Sequence, residues 1–150
     1  MDLYGLMESC APGVSPQTMQ RVLKIESSHN PYAIGIVGHR LQRQPQNLQE
    51  AVATAQYLIS NGYNFSAGIG QINHKNFART GLNLSNVFEP CANLRASSII
   101  LKECYQRASG KYQQEQYALR AAFSCYYSGR LDSKVGWDYA AKVAGDRKGQ

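Results

Sequence analysis

Apolar residues recur at helical spacing along most of this chain. Val22 and Leu23 follow Met19 at three- and four-residue steps, so the three side chains form one stripe of a helix. This helix should run from about residue 16 to about residue 28. Ser15 is expected to be its N-cap residue, with Pro in the first helical position, and an Asn-Pro pair ends it.

The same pattern predicts five further helices and very little extended structure. They are expected before Cys10, from Asn47 (a capping residue paired with Glu50) to Asn61, from Pro90 to Gly110, over 113–127 and from Trp137 to Val143. One short extended piece is expected over 34–37, and 64–73 (NFSAGIGQIN) is too rich in glycine for a helix. The expected fold class is therefore mostly α, or α+β with minimal β, in one compact helical domain.

Composition supports a single folded domain over residues 1–150. The chain has 43% hydrophobic and 17% charged residues, as in ordinary globular proteins. Its formal net charge of +6 suits an anionic partner such as nucleic acid, a membrane surface or a cell-wall polymer. However, the Lys and Arg residues are scattered singly, without a basic stripe interleaved with aromatics, so no nucleic-acid partner is expected.

Targeting segments are not visible in the sequence. No stretch approaches the roughly 18 apolar residues of a membrane span. The N-terminus has neither a basic region nor the apolar run of a signal peptide. Either this is a mature form with a new initiator Met, or the protein is not exported by the signal-peptide route.

Cysteine and histidine spacings argue against a metal centre. The four cysteines are far from any Cys-x-x-Cys pattern, and the three histidines are not at metal-ligand spacing and are expected in loops: Cys10, Cys91, Cys104, Cys125, His29, His39 and His74. No metal and no cofactor are therefore expected. The even cysteine number permits disulfides in an oxidising compartment, with three connectivities open.

Glu26 is the first candidate for chemistry. It lies four residues after Val22 and three after Leu23, on the apolar stripe and in the last turn of the helix. Desolvation there would raise the pKa of its carboxyl group, as a general acid near neutral pH requires. The alternative is a Glu at a frayed helix end that reaches water or caps a neighbour.

Two other local features carry suitable polar groups. Between Ser66 and Asn73, two glycines let the backbone approach a ligand closely, and Gln71 and Asn73 offer amides for sugar hydroxyl and acetamido groups. At a later helix end, the phenol of Tyr126 could donate to a carboxylate. Taken alone, the first is equally a tight turn with a polar rim and the second a core aromatic.

Together, these motifs resemble a known family. The pattern is Glu26-Ser27, Asn30-Pro31, Ala33-Ile34-Gly35, then Ser66-x-Gly68-x-x-Gln71-Ile72-Asn73 and Tyr126-x-x-Gly129. It resembles the lysozyme-like lytic transglycosylases, and more closely the small members that accompany type IV secretion and conjugation systems. Further matches to that branch are Cys10-Ala11-Pro12, Asn64-Phe65-Ser66, Asn76-Phe77 and Phe88-Glu89-Pro90-Cys91-x-Asn93-Leu94.

The resemblance implies a lysozyme-like fold with a glycan-binding cleft and a specific reaction. Glu26 would be the single catalytic acid and base, and Tyr126 would hydrogen-bond near Glu26 or the substrate. The implied substrate-binding residues are Ser27, Ser66, Gly68, Gln71, Asn73 and Tyr127. The implied reaction is non-hydrolytic cleavage of the β-1,4 bond between N-acetylmuramic acid and N-acetylglucosamine in peptidoglycan, leaving a 1,6-anhydro end.

The resemblance also implies a cellular location and a disulfide, and the chain departs from the family pattern at two positions. The location is the periplasm, with components of a secretion or conjugation apparatus as partners, and the disulfide joins Cys10 to Cys91. Ser28 stands where the family often has Gly, and Tyr127 where Asn commonly follows the Tyr.

Two rival functions are kept beside this interpretation. A hydrolytic muramidase of goose-lysozyme type would need a second, water-positioning acid, for which Asp132 and Asp138 are candidates. A non-catalytic peptidoglycan-binding assembly module would need none.

Overall fold

The computed structural model describes residues 3–145, which form six α-helices and one small sheet. The helices are α1 (Leu3–Cys10), α2 (Pro16–Ser27), α3 (Leu48–Ser60), α4 (Pro90–Lys111), α5 (Glu115–Ser128) and α6 (Lys134–Val143). The strands are β1 (Ile34–Ile36), β2 (Phe65–Ala67) and β3 (Ile72–Asn73), followed by two 3₁₀ turns, His74–Asn76 and Ala78–Thr80. The expectation of a mostly helical chain is confirmed. None of the described helices has the length and apolar character needed to cross a bilayer.

The chain divides into two compact units. The first extends to Ser97 and the second begins at Ser98, so the boundary falls inside α4. The first unit contains α1, α2, α3 and the sheet, and the second contains α5 and α6. The single-domain organisation expected from composition stays a prediction.

The stripe on α2 lies in the core of the first unit. Met19, Val22 and Leu23 are all fully buried, and the cluster around them includes side chains from α1, the turn after β2 and α4: Met7, Cys10, Ile69 and Leu94. Ser15 occupies the N-cap position as predicted, but its side chain makes no capping hydrogen bond. Burial of the stripe, rather than the cap, therefore fixes where α2 lies.

The predicted cap of α3 is confirmed in part. Asn47 Oδ1 accepts a hydrogen bond from the Glu50 N–H at 2.9 Å, as an N-cap residue should. The Glu50 carboxylate forms an ion pair with Arg43 at 2.9 Å. Glu50 therefore supports this helix start from the side facing the preceding loop.

Three short antiparallel strands form the sheet, where the sequence predicted a single extended piece. Ser66 is the centre of the register, since it pairs with Gly35 on β1 and with Asn73 on β3. The outer edge of β1 is closed by Gln44, whose Oε1 accepts from the Ile34 N–H at 2.8 Å and whose Nε2 donates to the Ile34 carbonyl at 3.0 Å. A side-chain amide thus takes the place of a fourth strand at an otherwise open edge.

Small residues let α5 and α6 pack closely in the second unit. Their buried residues include Ala118, Ala121, Ala122, Tyr139, Ala140 and Val143. Gly136 is needed because a Cβ there would meet Ser124 Oγ, whose hydroxyl donates to the Arg130 carbonyl at 2.7 Å. That bond ties the end of α5 to the loop before α6.

Both disulfides are formed. Cys10 is bonded to Cys91 within the first unit, which confirms the pairing implied by the resemblance. Cys104 is bonded to Cys125 within the second unit, a pairing that the sequence left open. Each bond closes a loop inside one unit: Cys10–Cys91 joins α1 to α4, and Cys104–Cys125 joins the consecutive helices α4 and α5.

Candidate functional site

Glu26 lies in the last turn of α2 and is half-buried. The chain leaves this helix through two successive residues in the left-handed region, Ser28 with φ 53° and His29 with φ 64°. Glycine adopts this conformation without steric cost, whereas other residues are strained by it. This explains why Gly would be favoured at position 28, where Ser28 adopts the left-handed conformation.

Ser27 joins the end of α2 to the glycine-containing turn. Its hydroxyl hydrogen is shared between the Ile69 carbonyl at 2.7 Å and the Leu23 carbonyl at 3.2 Å. The shorter bond crosses 42 residues of sequence. The residue next to Glu26 therefore anchors this turn, while its predicted contact with substrate stays a prediction.

The turn itself, residues 68–71, joins β2 to β3. Gly68 has φ +86°, and its N–H donates to the Ala33 carbonyl at 2.9 Å. The Gln71 N–H donates to the Gly68 carbonyl at 3.0 Å, which closes the turn, and Gln71 has φ 53°. Both ends of the turn thus adopt left-handed backbone, which needs external support at the non-glycine residue.

Gln71 uses its side chain to supply part of that support. Its Nε2 donates to the Ala33 carbonyl at 2.9 Å and to the Gly68 carbonyl at 3.0 Å. Its Oε1 would lie 2.9 Å from a Cβ at Gly35, so the glycine makes room for it. The amide nitrogen is engaged with the backbone, and the predicted contact of Gln71 with substrate stays a prediction.

Ser66 and Asn73 face each other across β2 and β3. Asn73 donates through Nδ2 to Asn64 Oδ1 at 2.7 Å and accepts from the Lys75 N–H at 3.1 Å, so its amide joins the hairpin to the 3₁₀ turn that follows. Ser66 is half-buried, and its hydroxyl makes no hydrogen bond with the part of the chain that the structure describes. The glycan contacts predicted for Ser66 and Asn73 both stay predictions.

His74 follows directly after Asn73 and packs on a buried aromatic ring. It stacks face to face on the buried Phe65 at 5.0 Å between ring centroids. Partial burial, with a smaller contribution from the charge of Lys75, lowers the pKa of His74 below its usual value. The expected loop position is replaced by a 3₁₀ turn, and the ring acts as a packing group beneath the hairpin.

Asn93 also belongs to the candidate site, although in the sequence it stands out only as one residue of a family motif. It is completely buried in the first turn of α4. Its Nδ2 donates to the carbonyls of Ala67 at 3.1 Å and Val87 at 2.8 Å, and its Oδ1 accepts from the Gly70 N–H at 2.8 Å. No local pattern signals this role, because the partners are backbone groups 23 and 26 residues away on the hairpin.

The two predicted tyrosines belong to the second unit, in the last turn of α5. Tyr126 is half-buried. The next side chain, Tyr127, is 50% exposed and stacks on Tyr139 with 4.7 Å between ring centroids. This packing accounts for an aromatic residue where Asn would be expected. The roles predicted for Tyr126 and Tyr127 stay predictions.

Substituting Gly68 by Ala should lower the free energy of unfolding by about 2–4 kcal/mol, since left-handed strain and overpacking add. The new Cβ would overlap the Asn93 amide and approach the Val87 carbonyl. Gly81→Ala is the matched control, because Gly81 has φ +79° but no atom within 4 Å of its missing Cβ. Urea denaturation should show only about 1 kcal/mol of loss there. Equal losses in the two variants would contradict the close contact at Gly68.

Known proteins resemble this chain over most of its length. The chain matches the family described as "Transglycosylase SLT domain" over residues 4–142. It is 54% identical over 127 residues to "Type IV secretion system protein virB1" of Brucella abortus, covering 84% of this chain and 53% of that protein. It is 31% identical over 137 residues to "Protein virB1" of Rhizobium radiobacter, covering 89% and 56%. The chain thus spans about half the length of these curated relatives. No solved structure matched it.

Proposed function

From the premise that this chain belongs to the transglycosylase SLT domain family, we propose that it is a lytic transglycosylase of peptidoglycan. It cleaves the β-1,4 bond between N-acetylmuramic acid and N-acetylglucosamine and leaves a 1,6-anhydro end. The observation that carries the proposal is the link between the end of α2 and the 68–71 turn. Through the bond from Ser27 to the Ile69 carbonyl, the end of α2 that carries the half-buried Glu26 is joined to a polar, glycine-containing turn.

In the proposed reaction Glu26 acts twice. It first gives its proton to the bridging oxygen as the bond from that oxygen to C1 of N-acetylmuramic acid breaks. It then takes the proton of the 6-hydroxyl of the same sugar, whose oxygen bonds to C1. The proton lost in the first step is regained in the second, and no water is consumed. The acetamido group of the substrate assists at C1, so no second carboxylate is needed.

A second carboxylate is what a hydrolytic muramidase would require. Both candidates lie in the second unit and are engaged with neighbouring cations. Asp132 pairs with Arg130 at 3.4 Å and Asp138 with Lys134 at 3.3 Å, all with substantial solvent exposure. Such exposed surface pairs give no support to the water-positioning role that the hydrolytic rival assigns to these carboxylates.

The biological setting is proposed from the relatives. The name of the Brucella abortus relative assigns that protein to type IV secretion, and we place this chain in the periplasm, where it opens the wall locally for such an apparatus or a conjugation system. Two disulfides suit this oxidising compartment. The net charge of +6 suits an anionic cell-wall polymer. Its partners are therefore peptidoglycan glycan strands and components of the apparatus.

Purified sacculi treated with the protein provide the test. Mass spectrometry of the released fragments should show muropeptides with anhydro ends, lighter by one water than the hydrolytic products. Reducing ends would assign the chain to the muramidases instead. Binding to sacculi without any released fragment would make it a non-catalytic assembly module and end the enzymatic proposal.

A further inference from the structure

Asn93 has its amide fully committed to backbone groups. An asparagine side chain offers two amide hydrogens and one acceptor oxygen. Here the hydrogens go to the carbonyls of Ala67 and Val87, and the oxygen accepts from the Gly70 N–H. Because two partners are carbonyls and the third is an N–H, the orientation of the amide is fixed by the network. Asp cannot donate twice, and Leu cannot bond at all.

These bonds hold both sides of the 68–71 turn. Ala67 comes directly before Gly68, and Gly70 follows Ile69, whose own carbonyl accepts from Ser27. The turn is therefore held from α4 by Asn93 and from the end of α2 by Ser27. The Asn93 amide occupies the space where a Cβ of residue 68 would lie, so Asn93 contacts the turn sterically as well as through hydrogen bonds.

The start of α4 is itself fixed two residues earlier. Cys91 is bonded to Cys10 of α1, and the Asn93 N–H donates to the Glu89 carbonyl at 3.0 Å. Asn93 thus connects a covalently anchored helix start to a turn with two strained ends. Because the helix start is fixed, a change in the position of the Asn93 amide would displace the turn.

We infer that Asn93 is a positioning residue of the reaction: it holds the 68–71 turn, and with it Gln71, in register with Glu26. This inference rests on the proposed function, because the register matters only if a glycan lies between the turn and the carboxyl group. Misplacing a reacting partner by about an ångström costs on the order of a hundredfold in rate. Asn93 touches no substrate, so its contribution comes through the turn.

Asn93→Asp tests the inference through the pH profile. The variant keeps size and one oxygen but turns a buried carboxylate toward the carbonyls of Ala67 and Val87. At about pH 7 we expect release of fragments from sacculi to fall on the order of tenfold to a hundredfold. Burial favours the neutral acid, which regains one donor, so the ratio of variant to wild-type rate should rise as the pH falls to about 5. A rate equal to that of wild type at both pH values would overturn the inference.

Two controls separate positioning from folding. Ser97→Ala alters a fully buried residue of α4 whose hydroxyl donates to the Asn93 carbonyl at 3.0 Å, away from the turn, and should leave the rate near that of wild type. Glu89 is a neighbouring carboxyl group, exposed and accepting from the Ala92 N–H, so Glu89→Gln made in both wild type and Asn93→Asp is the second control, and the pH dependence of the ratio should remain. An equal loss in Ser97→Ala would mean that Asn93 is merely structural.

A second variant covers the case in which Asn93→Asp does not fold. Asn93→Ser leaves a hydroxyl too short to reach all three backbone partners. We expect faster amide hydrogen exchange at Gly70 together with a lower rate, and unchanged exchange at Gly70 would contradict the inference. If Glu26→Gln kept wild-type activity, the proposed function would fail. If that variant were inactive and both Asn93 variants fully active, only the present inference would fail.

Discussion

Replacing Glu26 by Gln should reduce fragment release from sacculi by about a hundredfold to ten-thousandfold, the contribution of a general acid and base. Gln has the size of Glu but cannot give up or take the proton that the reaction moves twice. Because Glu26 lies at the helix end and is only half-buried, the variant should remain folded. Circular dichroism and thermal melting alongside the assay would verify this.

Glu50→Gln is the matched control for this change. Glu50 is also half-buried and helical, but its carboxylate pairs with the exposed Arg43, and such surface pairs contribute about 1 kcal/mol or less. Its removal should leave the cleavage rate essentially unchanged. Near wild-type cleavage by Glu26→Gln, or equal losses in both variants, would remove Glu26 from the mechanism.

The second large effect concerns the Cys10–Cys91 disulfide. Replacing both residues by Ser should lower the free energy of unfolding by about 4–5 kcal/mol, because a long loop in the unfolded chain is released. The two cysteines are separated by 81 residues. Equilibrium urea denaturation of the oxidised proteins would measure the loss.

The other disulfide provides the comparison. Cys104 and Cys125 are separated by only 21 residues, so the same double substitution should cost about 3–4 kcal/mol. If the Cys104/Cys125 variant were clearly the less stable one, loop length would not govern these contributions. The Cys10/Cys91 variant should also lose more activity, because its disulfide lies beside Asn93.

Helices were predictable where a periodic stripe coincided with a stop signal. The Met19, Val22 and Leu23 stripe set the buried face of α2, and the Asn47 cap set the start of α3. Strands β2 and β3 have only three and two residues, and they were not predicted because the glycines of the turn between them marked the whole 64–73 segment as irregular. Their stability comes from pairing with β1 and from the turn contacts, which are long-range.

The candidate site was predictable only in part. The family and its type IV secretion branch, expected from the motifs, are confirmed. The segment around Gln71 was recognised from its glycines and amides. The contacts of Ser27 and Asn93 with the turn were not, because each joins a side chain to a backbone group more than 20 residues away. The Cys104–Cys125 pairing could not be predicted from the sequence, because it depends on how α4 and α5 pack in the second unit.

The central claim is that one carboxyl group, working with the 6-hydroxyl of the substrate, cuts the glycan strand without water. Digesting purified sacculi in heavy-oxygen water and reading the new ends by mass spectrometry tests this most directly. Anhydro ends that carry no label are expected. Reducing N-acetylmuramic acid ends that carry the heavy oxygen would contradict it.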